Sequence, residues 1–321
     1  LLGKKAENFF RLITGIYLVC LNVIYVQLIV DQLFNILYFI FDKADHLDWI
    51  TEKNAKQIVF DKVSVQILSL IVFAPLLGVM FIKNLSFLVK LTSIGVISVI
   101  TYWCFILYHF FPSVSDINLQ NVPLFSWNFG NLAGVCAVAF TIHTVVNPLI
   151  KANLKQENNL RDLKISYVLG FFIYASIGVL GSLPIIGKKL FNIDNTDKTC
   201  KVTILNCYLK NILTLVVEIC YFFMLNTVFP CFINVGRTRL LTYFYGSIQD
   251  KHVTIFNIAF MVTACIFAFF MAFLRLDLLL NLVGAFFCFF FIYLIPIRFH
   301  WACLYSKKTS NFNSLLTEDE E

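Results

Sequence analysis

Charge is what this sequence has least of. Asp, Glu, Lys and Arg make up 14% of its 321 residues, against roughly 25% in a soluble domain. The hydrophobic fraction is 59%. A soluble fold of this length could not hide that much apolar surface from water, but a bilayer accepts it. Signature motifs are missing too. There is no phosphate-cradling P-loop, no G-x-G-x-x-G and no H-E-x-x-H. The five His are scattered without metal-ligand spacing, and nothing sets a nucleophile beside a base. These absences leave an enzyme without support, so neither a catalytic residue nor an organic cofactor is expected. No internal repeat and no soluble domain of useful size is visible.

What is present is a series of long apolar runs. The hydrocarbon core of a bilayer is about 30 Å thick, so a spanning helix needs about 20 mainly apolar residues. Eight runs meet that standard, so about eight spanning helices are expected: Leu12–Ile36, Val63–Ile82, Leu91–Phe111, Leu132–Ile150, Ile165–Ile186, Ile212–Val235, Val253–Phe273 and Leu278–Ile297. None has the alternating ten-residue pattern of an outer-membrane barrel. Pro75, Pro148, Pro184, Pro230 and Pro296 lie in or at the ends of runs. A membrane helix tolerates them because neighbouring groups re-satisfy the backbone that proline frees. The fold class expected is an all-α polytopic membrane protein, one transmembrane domain over residues 1–321.

The loops set the orientation. With the N-terminus in the cytosol, 15 of the 25 Lys and Arg fall on the cytosolic side, as the positive-inside rule requires. The net charge of +6 is then an orientation signal and not a nucleic-acid footprint. Both ends are expected in the cytosol, with the polar loops 42–62 and 187–210 on the other face. Residues 151–164 read as a charged cytosolic connector, with Arg237 and Arg239 in another cytosolic loop. The stretch 306–321, ending in Glu318-Asp319-Glu320-Glu321, is expected to be a disordered tail. Eight of the ten Cys lie in or beside apolar runs, where Cys acts as a small hydrophobe. Cys200 and Cys207 share a non-cytosolic loop, so a bridge and two separate thiols both remain open. The chain starts at Leu1 without Met or a signal-peptide pattern, from which a fragment or trimmed chain is expected.

Two runs break their own pattern. In the fourth, Thr141, His143, Thr144 and Asn147 cluster ahead of Pro148, and His143 and Asn147 share a helix face. Pro148 lacks an N–H and crowds the carbonyl of Thr144. An interruption between about Ala139 and Pro148 is expected, of the kind that lines a midplane substrate site. A proline kink with its polar groups satisfied by neighbouring helices fits the same residues. In the sixth, Pro230 frees the carbonyl of Asn226, and Thr227 adds a hydroxyl oxygen. Those oxygens suit a small hard cation such as sodium, and a Thr bonded back to its own helix fits equally. Glu218, nine residues before Thr227, points to the opposite face and is expected to reach water or a neighbouring helix. Asp31, near the end of the first run, carries the same reading.

The residues quoted so far resemble the amino acid/auxin permease family. The family's helix with Phe-x-x-His is matched by Phe140 and His143. Its connector motif is matched by LKQENNLRDL, from Leu154 to Leu163. Asn226-Thr227-Val228-Phe229-Pro230, and Gly284-Ala285 followed by Pro296, are similar to two further family stretches. The resemblance implies a LeuT-like fold of two inverted five-helix repeats plus one helix. The first run here would be family helix three and the last helix ten, with helices one, two and eleven lacking. It implies a secondary-active, sodium-linked amino acid transporter of the lysosomal or endosomal membrane, with the plasma membrane as alternative. The implied substrate is arginine or a neutral amino acid. Thr141 and His143 would then face substrate, beside Thr144 and Asn147 of the same polar cluster, while Thr227 and Asn226 would hold sodium. The alternatives carried forward are an amino acid sensor that signals through an N-terminal tail lacking here, and a transport-incompetent fragment.

Overall fold

A computed structural model describes residues 3–41, 65–82, 85–116, 129–140, 146, 150, 155–187, 211–246, 249–271 and 276–304. Every regular element among them is helical. In chain order they are α1 Gly3–Phe41, α2 Val65–Met80, α3 Leu85–Ser113, α4 Phe129–Phe140, α5 Asn159–Gly187, α6 Ile212–Tyr245, α7 Asp250–Met271 and α8 Leu276–Cys288. A π-helical stretch, Phe289–Leu294, prolongs α8, and the helix continues through 295–304. Short 3-10 turns follow α3 and precede α5. Six of the helices are long and apolar enough to cross a membrane, and α2 is a shorter apolar one. The loop 42–62, residues 188–210 and the tail 306–321 lie outside the described residues.

Local chemistry sets the helix ends. α6 starts at Asn211, whose Oδ1 accepts from the backbone N–H of Thr214 at 2.8 Å and from its hydroxyl at 3.0 Å. This satisfies a donor that the first turn leaves over. α6 ends at Gly246, whose φ of 69° lies in the left-handed region that glycine enters without strain. Its N–H donates to the Thr242 carbonyl. α5 begins five residues before the end of the stretch expected to be a connector. Asp162 stands in its first turn, where a carboxylate complements the helix dipole.

The bundle is organised around α1 and α6, which run antiparallel. Gly15 meets Leu240, Leu18 meets Gly236, the Tyr25 ring lies tilted against that of Phe232, and Gln32 reaches Glu218. The glycines permit this approach: a Cβ on Gly236 would lie 2.9 Å from the Cβ of Leu18, and one on Gly15 would overlap the Leu240 side chain. One apolar core joins α1, α2, α6 and α7 through Val26, Val30, Leu76, Phe229, Met261 and neighbours. A second joins α1 to α8, where Tyr17 packs on Phe287 and Phe291 with centroids 5.3 Å away in each case. α4 crosses α8 at Gly134 and Gly284, so closely that a Cβ on Gly284 would overlap the Gly134 carbonyl oxygen. α5 is peripheral. It leans on α3, where the Trp103 indole donates to the Ser176 hydroxyl at 2.8 Å. Its Val168, Leu169, Phe171 and Phe172 are exposed, as side chains facing lipid would be.

Candidate functional site

Asn226, Thr227 and Pro230 sit in the middle of α6, which runs unbroken as an α-helix from Ile212 to Tyr245 with Pro230 inside it. Pro230 has no N–H to give, so the Asn226 carbonyl has no α-helical partner there. The Asn226 side chain turns back and donates to the Phe222 carbonyl at 2.8 Å. The Thr227 hydroxyl donates to the Met224 carbonyl at 2.9 Å. Donating its one hydrogen leaves the hydroxyl oxygen two lone pairs. The oxygen lies against α3 at Gly95: a Cβ built there would stand 3.4 Å from Thr227 Oγ1. Ser98, buried, lies one turn along α3 on the same face as Gly95. The sequence reading missed Gly95 and Ser98. The signal was a small residue and a hydroxyl three apart inside an apolar run.

Glu218 faces a different neighbour from Thr227. It shares the α6 face of Leu225, Phe229 and Gly236, the face that meets α1. Its backbone carbonyl accepts from Gln32 Nε2 at 3.4 Å, and the residue is fully buried. Of the two expectations, water or a neighbouring helix, the second holds: α1 covers it. Asp31 accepts from Gln27 Nε2 at 3.3 Å.

Arg237 also needs correction. It is not a loop charge but a buried member of α6. Its Nη1 donates to the Met80 carbonyl at 2.8 Å and to Asn257 Oδ1 at 3.0 Å. Asn257 Nδ2 also donates to Met80 O, at 3.3 Å, and Asn234 Nδ2 donates to Ile82 O at 3.4 Å. α6 and α7 thus supply the donors that the C-terminal end of α2 lacks, with a positive charge at the negative end of its dipole.

Of the expected substrate side, the described helix α4 stops at Phe140. Thr141, His143, Thr144 and Asn147 lie outside the described residues, as does Pro148. Cys200 and Cys207 do too. Among the described residues no cluster of His, Cys, Asp and Glu could hold a metal ion. An apolar cavity of about 430 Å³ opens between α1, α7 and α8, lined by Val19, Val23, Thr263, Phe267 and Phe286 among others. The Thr263 hydroxyl there donates to the Ala259 carbonyl of its own helix.

Similarity to known proteins can be set beside this geometry. The neutral amino acid transporter 9 of Xenopus laevis is 27% identical over 259 residues, covering 77% of this chain and 44% of that protein. The rat protein of the same name is 32% identical over 202 residues, 57% of this chain and 34% of that one. The sodium-coupled neutral amino acid transporter 9 homolog of Caenorhabditis elegans is 25% identical over 208 residues, 61% and 32% respectively. The matched region spans less than half the length of these relatives, all of them named as transporters and not as enzymes. The model of one family, described as transmembrane amino acid transporter protein, matches residues 1–318. With that match over nearly its whole length, the chain belongs to the transmembrane amino acid transporter protein family.

Proposed function

We propose that the chain is the membrane domain of a secondary-active amino acid transporter, driven by sodium and working by alternating access in a lysosomal or endosomal membrane. The observation that carries sodium coupling is the middle of α6. A carbonyl that Pro230 leaves without its helical donor sits one residue from a hydroxyl whose oxygen lies against Gly95 of α3. Two hard oxygens so placed suit a sodium ion, with further oxygens supplied by another helix. The relative whose name includes sodium coupling supports the same reading. The substrate side is assigned to Thr141, His143, Thr144 and Asn147, and the substrate to arginine or a neutral amino acid. The helical arrangement is a LeuT-like one.

The test is flux. The intact protein is purified, placed in liposomes and given radiolabelled arginine or leucine with and without an inward sodium gradient. Accumulation that requires the gradient is expected. Amino-acid-dependent capture of a signalling partner with no flux under any gradient would replace the transporter with a sensor. His143→Ala should raise the substrate concentration for half-maximal uptake at least several-fold, and an unchanged value would make His143 a packing residue.

A further inference from the structure

The apolar stretch of α1 carries an acid that the α6 site does not use. Asp31 lies inside the segment Ala6–Leu37, which is apolar enough to cross a membrane. Ionisable groups in such a segment are expensive and face a cavity or a partner. Among the described residues the ion pairs are Arg11 with Glu7 and Arg161 with Asp162, so none of the described basic side chains compensates Asp31. Its one hydrogen-bond donor there is Gln27 Nε2, at 3.3 Å and one helical turn away.

That bond fixes the Gln27 amide. Its nitrogen is turned to Asp31, and its oxygen, on the same carbon, lies one amide width from that contact. Gln27 is 6% exposed, and Oε1 has no hydrogen-bond partner among the described residues. A buried amide oxygen left without a donor is costly. Turning the amide over would give Oε1 no donor while Asp31 is ionised. Two groups with only acceptor capacity thus adjoin each other in a segment that a membrane would surround. A cation satisfies both and, unlike a bridging water, also balances the charge of the carboxylate.

We infer that Gln27 and Asp31 form part of a binding site for a small monovalent metal cation, separate from the Thr227 stretch. Hard oxygens select an alkali ion over a transition metal. One carboxylate balances one positive charge. Asp31 is only partly buried, which leaves room for water to complete the shell. The two sites lie on different helices, and Thr227 is turned to α3. The inference does not rest on transport.

Thermal unfolding of the intact purified protein in detergent tests it, with sodium or potassium titrated against choline at constant ionic strength. Either alkali ion should raise the unfolding midpoint. Asp31→Asn and Gln27→Met, the second keeping the size of the side chain without its oxygen, should each raise the half-effect concentration at least tenfold. Neither should lower the midpoint measured in choline. In a Thr227→Val background an alkali-ion response should persist and be removed by Asp31→Asn. No response in that background, or one that Asp31→Asn and Gln27→Met both leave untouched, overturns the site while leaving the Thr227 reading intact. A response to methylammonium but to neither alkali ion would also overturn it.

Discussion

α6 holds polar groups in two ways. At Arg237 they are shared: one guanidinium nitrogen serves a carbonyl at the end of α2 and an amide on α7. At Asn226 and Thr227 they are kept within the helix, each side chain bonding a carbonyl three or four residues back. A shared bond joins elements and is lost only when they part. A bond kept within one helix joins nothing to a neighbour, and it leaves oxygen lone pairs open to an outside ligand. The first arrangement is that of a structural joint, the second the one we propose for sodium.

Breaking the joint should have the largest effect on stability. Arg237→Met removes the donor from Asn257 Oδ1 and one of two donors from the Met80 carbonyl, at about 1–3 kcal/mol for the group left unsatisfied. Thermal unfolding in detergent should register a loss of that order. Combined with Asn257→Leu, the loss should fall short of the sum of the singles, because either single already removes the Arg237–Asn257 bond. Additive losses would show that the two act independently.

The smaller steps sharpen the same contrast. Trp103→Phe cuts a single bond between α3 and peripheral α5, worth about 0.5–1.5 kcal/mol, and should lower the unfolding midpoint measurably but less than Arg237→Met. Thr227→Val removes a bond that joins no second helix, so stability should change by less than about 1 kcal/mol. Its effect should appear in sodium instead: the concentration for half-maximal uptake should rise several-fold. A large stability loss with unchanged sodium dependence would move Thr227 into the structural class.

Much of this was legible in the sequence and the rest was not, for physical reasons. Apolar runs of helix length announce themselves because a membrane tolerates little else. The opposed faces of Glu218 and Thr227 follow from nine residues at about 3.6 per turn. Whether Glu218 meets water or a neighbouring helix did not follow, because that depends on α1, nearly two hundred residues away in sequence. Arg237 looked like an ordinary flanking charge, since nothing local tells that α6 continues beyond it to Tyr245 or that the end of α2 lies against it. Asn257, a lone amide in an apolar run, was the one sign that such a partner existed.

The π-helical stretch Phe289–Leu294 has a consequence for how this chain is to be aligned with its relatives. A π turn closes its hydrogen bond one residue later than an α turn, so the helix takes up an extra residue without a loop. Each residue of an α-helix advances the face by about 100°. Losing a single codon here could restore a plain helix and swing 295–304 round by that amount. Phe299, which stacks on Phe10 at 5.9 Å, would then point elsewhere. A one-residue gap in an alignment at this place therefore marks a change in which side of the last helix meets α1, and not a trimmed connection between helices.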